Sequence, residues 1–184
     1  MKILMVSDLH GQKRCLDHLD QLIHDKKVDF LVCAGDITQF DDISYLEKFL
    51  SVIRKGKLGA AIVWGNNDQG NVRKKILHSP YNIHLKPMKQ GDWTFFGISE
   101  IEDIPVIKPD DIKGNILVTH RPPLFTQLKM KLPNAPRYHI SGHVHHAAQI
   151  RKFPSTTLVQ IPSLTLGRYA IFDPDQETAE FFHV

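Results

Sequence analysis

Cysteine is scarce in this sequence, and no stretch of apolar residues is long. The chain has 184 residues and only two cysteines, Cys15 and Cys33, which form neither a CxxC pair nor a disulfide-rich pattern. This scarcity argues against a disulfide-stapled secreted fold and is typical of a reducing cytosol. The apolar residues 1–6 are too few for a signal peptide, and no run is long enough to span a membrane. We therefore expect a cytoplasmic protein that does not contact a membrane.

Strong charge of either sign is also missing. Lys and Arg number 23 against 20 Asp and Glu, which leaves a formal net charge of +3 with histidine neutral. Because the lysines are scattered, no basic groove is indicated and nucleic acid is not an expected partner, although a DNA nuclease stays open as a third function. No linker, repeat or low-complexity tract interrupts the chain, so residues 1–184 are expected to form a single domain. The sequence leaves monomer and homo-oligomer open.

Short apolar runs that end in a polar or glycine-rich turn are the main feature that is present. They span residues 2–7, 30–34, 61–64, 116–119 and 138–141. Continuous apolar runs of this length predict strands buried on both faces. Between the first three runs, apolar residues recur at helical spacing at Cys15, Leu16, Leu19, Leu22 and Ile23, and again at Tyr45, Leu46, Phe49, Leu50 and Ile53. This alternation predicts an α/β layered fold.

The second half of the chain contains closely spaced strand candidates with little helix between them. These candidates span residues 93–98, 148–153, 157–161, 169–172 and 180–183. We expect them to form a second sheet that is largely antiparallel. Residues 105–109 and 122–136 are expected to be ordered loops, with a short helix near 125–131. We expect the loops at 69–84 and 122–136 to decide substrate choice.

Residue types that bind metals follow nearly every one of the short apolar runs that end in a polar or glycine-rich turn. They are Asp8, His10, Asp36, Asn66, His120, His143 and His145. Because the carboxyl ends of strands in an open α/β sheet meet at one edge, these side chains are expected to converge. Asp8 and His10 are two residues apart in a segment expected to be extended, so both side chains can point the same way, and His143 and His145 repeat this spacing.

Four imidazoles with two carboxylates and an amide form a nitrogen-rich ligand set. Such a set favours divalent transition metals over Ca²⁺ or Mg²⁺ alone, with Mn²⁺ expected first and Fe, Zn²⁺ or Ni²⁺ also compatible. Asp36 is central in the series, and a carboxylate has two oxygens with which to bridge two cations. Two cations about 3.5–4 Å apart form the usual clamp for in-line phosphoryl displacement. The residues therefore predict a phosphoesterase with two metal ions, in which a metal-bridging hydroxide attacks phosphorus.

The order of the motifs resembles the calcineurin-like metallophosphoesterase superfamily. Its signature of DxH, GD, GNHD, a lone His and GHxH corresponds here to Asp8-Leu9-His10, Gly35-Asp36, Gly65-Asn66-Asn67-Asp68, His120 and Gly142-His143-Val144-His145. Five blocks in this order at strand ends are a specific pattern, although each block alone is weak. The resemblance implies a four-layer αββα sandwich of two sheets, as in the small, minimal members, and small phosphoester substrates. It also implies that Asp8, His10, Asp36 and His145 hold one ion, and that Asp36, Asn66, His120 and His143 hold the other.

One position departs from the family pattern, because the GNHD histidine is Asn67 here. In the family that histidine contacts the phosphate and is the usual candidate for protonating the leaving group. Asn can donate a hydrogen bond but cannot act as an acid near neutral pH. Members that lack this histidine tend to be better at phosphodiesters than at monoesters. We therefore expect hydrolysis of phosphodiesters or activated phosphomonoesters.

The candidate catalytic residues are Asp36, Asn67, His120 and Arg121. Arg121 follows His120 directly and could reach a phosphate oxygen, or could instead anchor the proline-rich loop that follows it. The main alternative function is a non-catalytic, metal-binding scaffold for protein interaction, because the superfamily contains such a branch, in which metal ligands have been lost. Here every ligand position is filled, which favours an enzyme.

Several residues also have an ordinary structural interpretation. Asp8 or Asp68, taken alone, could cap the helix that follows it. Cys33 lies inside a predicted strand and is expected to be unreactive core. The histidines outside the motifs are expected to be structural or exposed, and they include His18, His24, His78, His84, His139 and His183.

Overall fold

Eleven short strands and four helices make up the regular structure of the described residues. The computed structural model describes residues 1–100, 108–122 and 135–184. The strands are β1 (Ile3–Val6), β2 (Phe30–Cys33), β3 (Gly59–Ile62), β4 (Met88–Gln90), β5 (Trp93–Ile98), β6 (Ile116–Thr119), β7 (Tyr138–Ser141), β8 (Gln149–Lys152), β9 (Thr157–Gln160), β10 (Arg168–Asp173) and β11 (Thr178–His183). The helices are α1 (Lys13–Lys26), α2 (Ile43–Lys55), α3 (Gly70–Leu77) and the single turn α4 (Pro109–Ile112), with a 3₁₀ turn at Leu164–Leu166.

Parts of two predicted loops fall outside this description. Most of the loops at residues 105–109 and 122–136, and the whole of the predicted helix near 125–131, lie outside the described residues. None of the described helices is long and apolar enough to cross a membrane.

The two long helices form where apolar residues recur every three or four positions. The buried faces of α1 and α2 are those that the spacing predicts. Asp42 caps α2 by accepting a hydrogen bond from the Tyr45 backbone N–H at 2.9 Å. Helix α3 lies in the segment 69–84, which was wrongly predicted to be a loop. This helix buries only Val72 and Ile76, so its sequence lacks the repeated apolar spacing from which a helix is predicted.

The first sheet has the strand order β11-β10-β1-β2-β3. The strands β1, β2 and β3 are parallel because α1 and α2 carry the chain back between them. The hairpin of β10 and β11 pairs antiparallel with the other side of β1. The expectation that these two strands belong to the second sheet is therefore wrong, since the pairing of β10 with β1 joins distant parts of the chain.

The second sheet has the strand order β4-β5-β6-β7-β9-β8. Its central strands β5, β6, β7 and β9 are parallel, and only the edge pairs β4–β5 and β8–β9 are antiparallel. The expectation of a largely antiparallel sheet is wrong, and β4 was not predicted. The parallel arrangement matters for function because it brings the carboxyl ends of β5, β6 and β7 to one edge.

Alternate residues of each strand face different layers. On β1, Leu4 and Val6 pack with the buried faces of α1 and α2, whereas Ile3 and Met5 face the second sheet. On the outer side of the second sheet, a further cluster contains Phe96, Ile98, Ile112 and Leu117. The result is the predicted α/β fold, a four-layer αββα sandwich of two sheets.

Candidate metal centre

Polar side chains that follow the strands of both sheets meet in two clusters. One cluster contains Asp8, His10 and His145, and the other contains Asp36, His120 and His143. In each cluster the candidate ligand atoms lie within 4.8 Å of one another. The structure thus brings together the carboxylates and imidazoles that the motif order assigns to two ions, and their role as ligands stays a prediction.

Several of these residues have a left-handed backbone conformation, which sets the direction of their side chains. Asp8, His10, Asp36 and His143 have φ angles of 56°, 47°, 52° and 68°, which residues with a side chain seldom adopt. The expectation that Asp8 and His10 lie in an extended segment is therefore wrong. Hydrogen bonds hold this backbone, since the N–H groups of Leu9 and His10 both donate to the Asp36 carbonyl, at 2.9 and 3.0 Å. Strained backbone held in this way is typical of functional sites.

One carboxylate oxygen of Asp8 lies near the two imidazoles of its cluster. Its Oδ2 accepts a hydrogen bond from the His143 backbone N–H at 3.0 Å. Its buried Oδ1 has no hydrogen-bond partner among the described residues, and lies 3.3 Å from His145 Nε2 and 3.8 Å from His10 Nε2. A buried carboxylate oxygen without a partner is costly. A cation held with these imidazoles would satisfy it, so the residues of this cluster fit a metal ion.

His120 is anchored through one ring nitrogen and offers the other to the second cluster. Its Nδ1 donates to the Ala34 carbonyl at 2.8 Å. Its Nε2 lies 3.1 Å from Asn66 Oδ1, 3.1 Å from His143 Nδ1 and 3.3 Å from Asp36 Oδ2. Metal-binding histidines are usually held by such a bond from the far nitrogen. Asn66 is thereby placed beside the cluster to which the family pattern assigns it.

Asp36 faces both clusters. Its Oδ2 lies 3.3 Å from His120 Nε2 and 3.8 Å from His10 Nε2. Its Oδ1 accepts a hydrogen bond from the Asn67 backbone N–H at 2.8 Å. The Asn67 side-chain amide donates to Oδ2 at 2.7 Å. Asn67 therefore lies at the centre as a support of Asp36.

Asp36 and His120 also set the charge of the second cluster. Burial raises the pKa of Asp36, but the hydrogen bond and positive charge of His120 outweigh it and hold that pKa well below its usual range. Burial lowers the pKa of His120, but Asp36 brings it above its ordinary value. Burial and the neighbouring charge of His120 lower the pKa of His143. A cation that binds here would compete with a proton for His120 Nε2, so its affinity should depend on pH.

Asp68 supports the loops that carry these residues. Its buried carboxylate accepts hydrogen bonds from three backbone N–H groups, those of Ile37, Thr38 and Gly65, at 3.2, 2.7 and 2.9 Å. It does not cap α3, whose N-cap is Gln69. Asp8 does not cap α1 either, because the N-cap of that helix is Gln12. The capping interpretation is wrong for both carboxylates.

Gly65 allows the loop after β3 to approach Asp36. A Cβ atom at Gly65 would lie 2.5 Å from the Asp36 backbone nitrogen and would also meet its carboxylate. No larger residue fits at this position without moving the proposed bridging side chain.

A cleft of about 190 Å³ opens beside the His120 cluster. It is lined by Gly65, Asn66, Arg73, Ser99, Glu100, His120 and Arg121. The candidate Arg121 is exposed there, and its contact with phosphate stays a prediction. Ser99 and Glu100 were not predicted, although they directly follow β5 and the strand-end rule could have found them. Arg73 was missed because it lies on α3, which was not recognised as a helix.

The other histidines lie outside the two clusters, as expected. His139 is buried and contacts the Thr119 hydroxyl at 2.8 Å, and His84 packs against Trp64 with ring centroids 4.2 Å apart. Burial raises the pKa of the Cys33 thiol, which keeps this core residue protonated and unreactive.

Comparison with known proteins points to one superfamily. A family model described as the calcineurin-like phosphoesterase superfamily domain matches residues 1–171. An archaeal phosphodiesterase superposes with a TM-score of 0.66 and 16% identity over 100% of both chains. A phosphoesterase from E. coli superposes with a TM-score of 0.60 and 17% identity over 100% of both chains. A dimetal phosphatase from Danio rerio superposes with a TM-score of 0.65 and 10% identity, over 100% of this chain and 98% of that chain. At these identities the likeness shows the shared fold. No curated relative matches the sequence at a significant level.

Proposed function

Because this chain belongs to the calcineurin-like phosphoesterase superfamily, we propose that it hydrolyses small phosphoesters with the help of two divalent metal ions. The observation that carries the proposal is that Asp36, a member of the second cluster, also lies beside the first. Its Oδ2 lies 3.3 Å from His120 Nε2 in one cluster and 3.8 Å from His10 Nε2 in the other. The Oδ1 of Asp8, which has no hydrogen-bond partner in the part of the chain that the structure describes, supports the first of the two metal sites.

The proposed ligands divide into two sets that share Asp36. Asp8, His10, Asp36 and His145 would hold one ion, and Asp36, Asn66, His120 and His143 would hold the other. This nitrogen-rich set suits Mn²⁺, Fe or Zn²⁺, and we expect Mn²⁺. When bound, two such ions supply a water of lowered pKa and neutralise charge on the phosphoryl oxygens.

The side chains around the ligands orient the substrate and restrict its chemistry. Arg121 is exposed on the cleft beside His120, where its guanidinium can donate to a non-bridging phosphoryl oxygen. The Asn67 amide donates to Asp36 Oδ2 and has no proton to give a leaving alkoxide near neutral pH. We therefore propose that phosphodiesters and activated phosphomonoesters are better substrates than alkyl monoesters.

A metal-supplemented assay tests the proposal. A panel of nitrophenyl phosphate mono- and diesters is offered to the protein with Mn²⁺, Fe²⁺ or Zn²⁺, and chelated protein is the control. We expect turnover that requires metal, and its loss in His145→Ala but not in His24→Ala, which changes an exposed histidine outside the clusters. Elemental analysis should find two ions per chain. A ceiling of one ion contradicts the two-metal proposal, and two bound ions without turnover favour the non-catalytic scaffold.

A further inference from the structure

We propose that Arg73 and Glu100 form a subsite that selects the alcohol group of the phosphoester by its hydroxyls. This inference rests on the proposed function and extends it to the substrate class. Both residues lie outside the family motifs, and both line the cleft beside the His120 cluster.

The location of the subsite follows from the residues with which it shares the cleft. Asn66 and His120, two of the proposed metal ligands, line the same cleft as Arg73 and Glu100. A phosphoryl group bound at those ligands has an ester oxygen that can face this cleft. The alcohol attached to that oxygen then meets Arg73 and Glu100.

Arg73 and Glu100 are fixed in place by contacts within the chain. Arg73 Nε donates to the Asp68 carbonyl at 2.5 Å, and its Nη1 lies 2.6 Å from Glu100 Oε1. Trp64 Nε1 donates to the same carboxylate oxygen at 2.9 Å. Because Asp68 also holds the loop that carries Asn66, the pair keeps a defined position relative to the metal ligands. Groups held in advance bind a ligand at a lower entropic cost.

The chemistry of the pair favours hydroxyl groups. The two side chains keep 38% and 36% of their surface exposed, so a ligand in the cleft can reach them. A guanidinium beside a carboxylate offers donors and acceptors next to each other, and a hydroxyl both donates and accepts. An apolar alcohol would cover these polar groups without replacing their hydrogen bonds to water.

The charge of the pair argues against a second phosphate at this position. Arg73 and Glu100 neutralise each other, so the subsite adds no net positive charge to attract an anion. Among the residues that the structure describes, those lining the cleft other than Gly65 all have polar or charged side chains, which disfavours an aryl or alkyl group beside them. The remaining chemistry is that of a neutral alcohol with several hydroxyls, such as glycerol or a sugar.

A matched pair of diesters tests the subsite. Glyceryl p-nitrophenyl phosphate and propyl p-nitrophenyl phosphate release the same nitrophenolate and differ only in the hydroxyls of the retained alcohol. We expect the metal-loaded native protein to show a kcat/KM about tenfold higher for the glyceryl ester. Arg73→Met and Glu100→Gln should each reduce this ratio to about twofold or less. Arg54→Met is the control, because Arg54 is an exposed arginine of α2 that pairs with Glu47, and it should keep the native ratio.

A binding measurement makes the result independent of turnover. Calorimetric titration of the metal-loaded proteins with glycerol phosphate and propyl phosphate should show about tenfold tighter binding of the first to the native chain. The difference should shrink in Glu100→Gln, which has the same shape as the native residue. Circular dichroism establishes that each variant is folded. If Arg73→Met does not fold, Arg73→Lys and Glu100→Gln decide the question.

The outcomes separate the subsite from the proposed function. Equal kcat/KM for the two diesters in the native protein, or a ratio that survives both substitutions, would overturn the subsite and leave the phosphoesterase in place. If neither diester is hydrolysed but glycerol phosphate still binds selectively through Arg73 and Glu100, the phosphoesterase proposal fails and the subsite stands. Equal binding together with no turnover contradicts both.

Discussion

At the scale of single residues, Asp36 connects the two clusters. We expect Asp36→Ala to lower the affinity for both ions and kcat/KM by more than about 10²-fold, since even an outer-shell partner of a metal ligand is worth about 10–100-fold. The loss also leaves two cations facing each other without a carboxylate between them. Metal content and turnover are measured together, with Asp25→Ala as the control because Asp25 is exposed. Near-normal turnover with two ions bound would show that Asp36 is not the bridge.

Asn67 is the residue at which substrate preference is expected to change. A general acid contributes about 10²–10⁴-fold to rate, and mostly for poor leaving groups. A monoester also carries one more negative charge than a diester and so gains more from an added positive group. Asn67→His should therefore raise kcat/KM for an aryl monoester relative to a matched diester, by about tenfold for a leaving group as good as an aryl oxide. The substitution removes the hydrogen bond that the Asn67 side-chain amide donates to Asp36 Oδ2, so metal content is checked in parallel.

Asn67→Gln is the matched control for this substitution, because it keeps the amide and adds no acid. The ratio of monoester to diester turnover should not rise in that variant. A native protein that strongly prefers alkyl monoesters would contradict the argument. The leaving-group acid would then have to be sought at His146, which directly follows the GHxH motif, or within residues 122–136.

At the scale of elements, strand β7, which directly precedes the GHxH motif, carries the buried His139. The Thr119 hydroxyl donates a hydrogen bond to the Arg121 carbonyl at 2.7 Å. Its oxygen therefore accepts a hydrogen bond from the Nε2–H of His139. Burial lowers the pKa of His139 from 6.5 to about 3. The folded strand therefore holds a neutral imidazole, whereas the unfolded chain binds a proton below its ordinary pKa.

The difference between the folded and unfolded pKa of His139 makes the free energy of unfolding depend on pH. Between the unfolded pKa of 6.5 and the folded pKa of about 3, the unfolded state binds one more proton, so stability is lost as pH falls. The free energy of unfolding should decrease by about 1.4 kcal/mol per pH unit from this residue alone. Urea unfolding of metal-free protein should show a shallower pH dependence in His139→Gln and an unchanged one in His24→Gln. Parallel pH profiles for the native chain and His139→Gln would refute this assignment.

At the scale of the whole molecule, the proposed ions join both sheets through the loops after their strands. An ion that binds only the folded chain stabilises it by about 2.7 kcal/mol at a hundredfold excess over its Kd. For a chain of 184 residues, each kcal/mol corresponds to about 2–4 °C in Tm. Saturating Mn²⁺ should therefore raise Tm by about 5–10 °C per ion relative to chelated protein. An identical Tm with metal and with chelator would contradict the ligand assignment, and Asp36→Ala should show a reduced shift.

Local patterns were sufficient for much of this protein. The apolar spacing of α1 and α2 and the buried runs of β1, β2, β6 and β7 were predicted correctly, because helical and strand periodicity depend on neighbouring residues alone. The run predicted at 61–64 overlaps β3 only at residues 61–62. The order of the motifs also predicted which carboxylates and imidazoles come together. Strand ends of parallel sheets share one edge, so residue type and position after a strand are enough to indicate a site.

Other features depend on contacts between distant parts of the chain. The pairing of β10 with β1 and the parallel centre of the second sheet are decided by the packing of two sheets, which the spacing of strands does not encode. The left-handed backbone of Asp8 and Asp36 exists because hydrogen bonds between their loops hold it. The Arg73–Glu100 contact joins α3 to the end of β5. Sequence by itself thus determined which carboxylates and imidazoles follow the strand ends. Tertiary packing alone decided how these side chains are oriented and that Arg73 and Glu100 lie beside them, because both depend on neighbours that are far away in the chain.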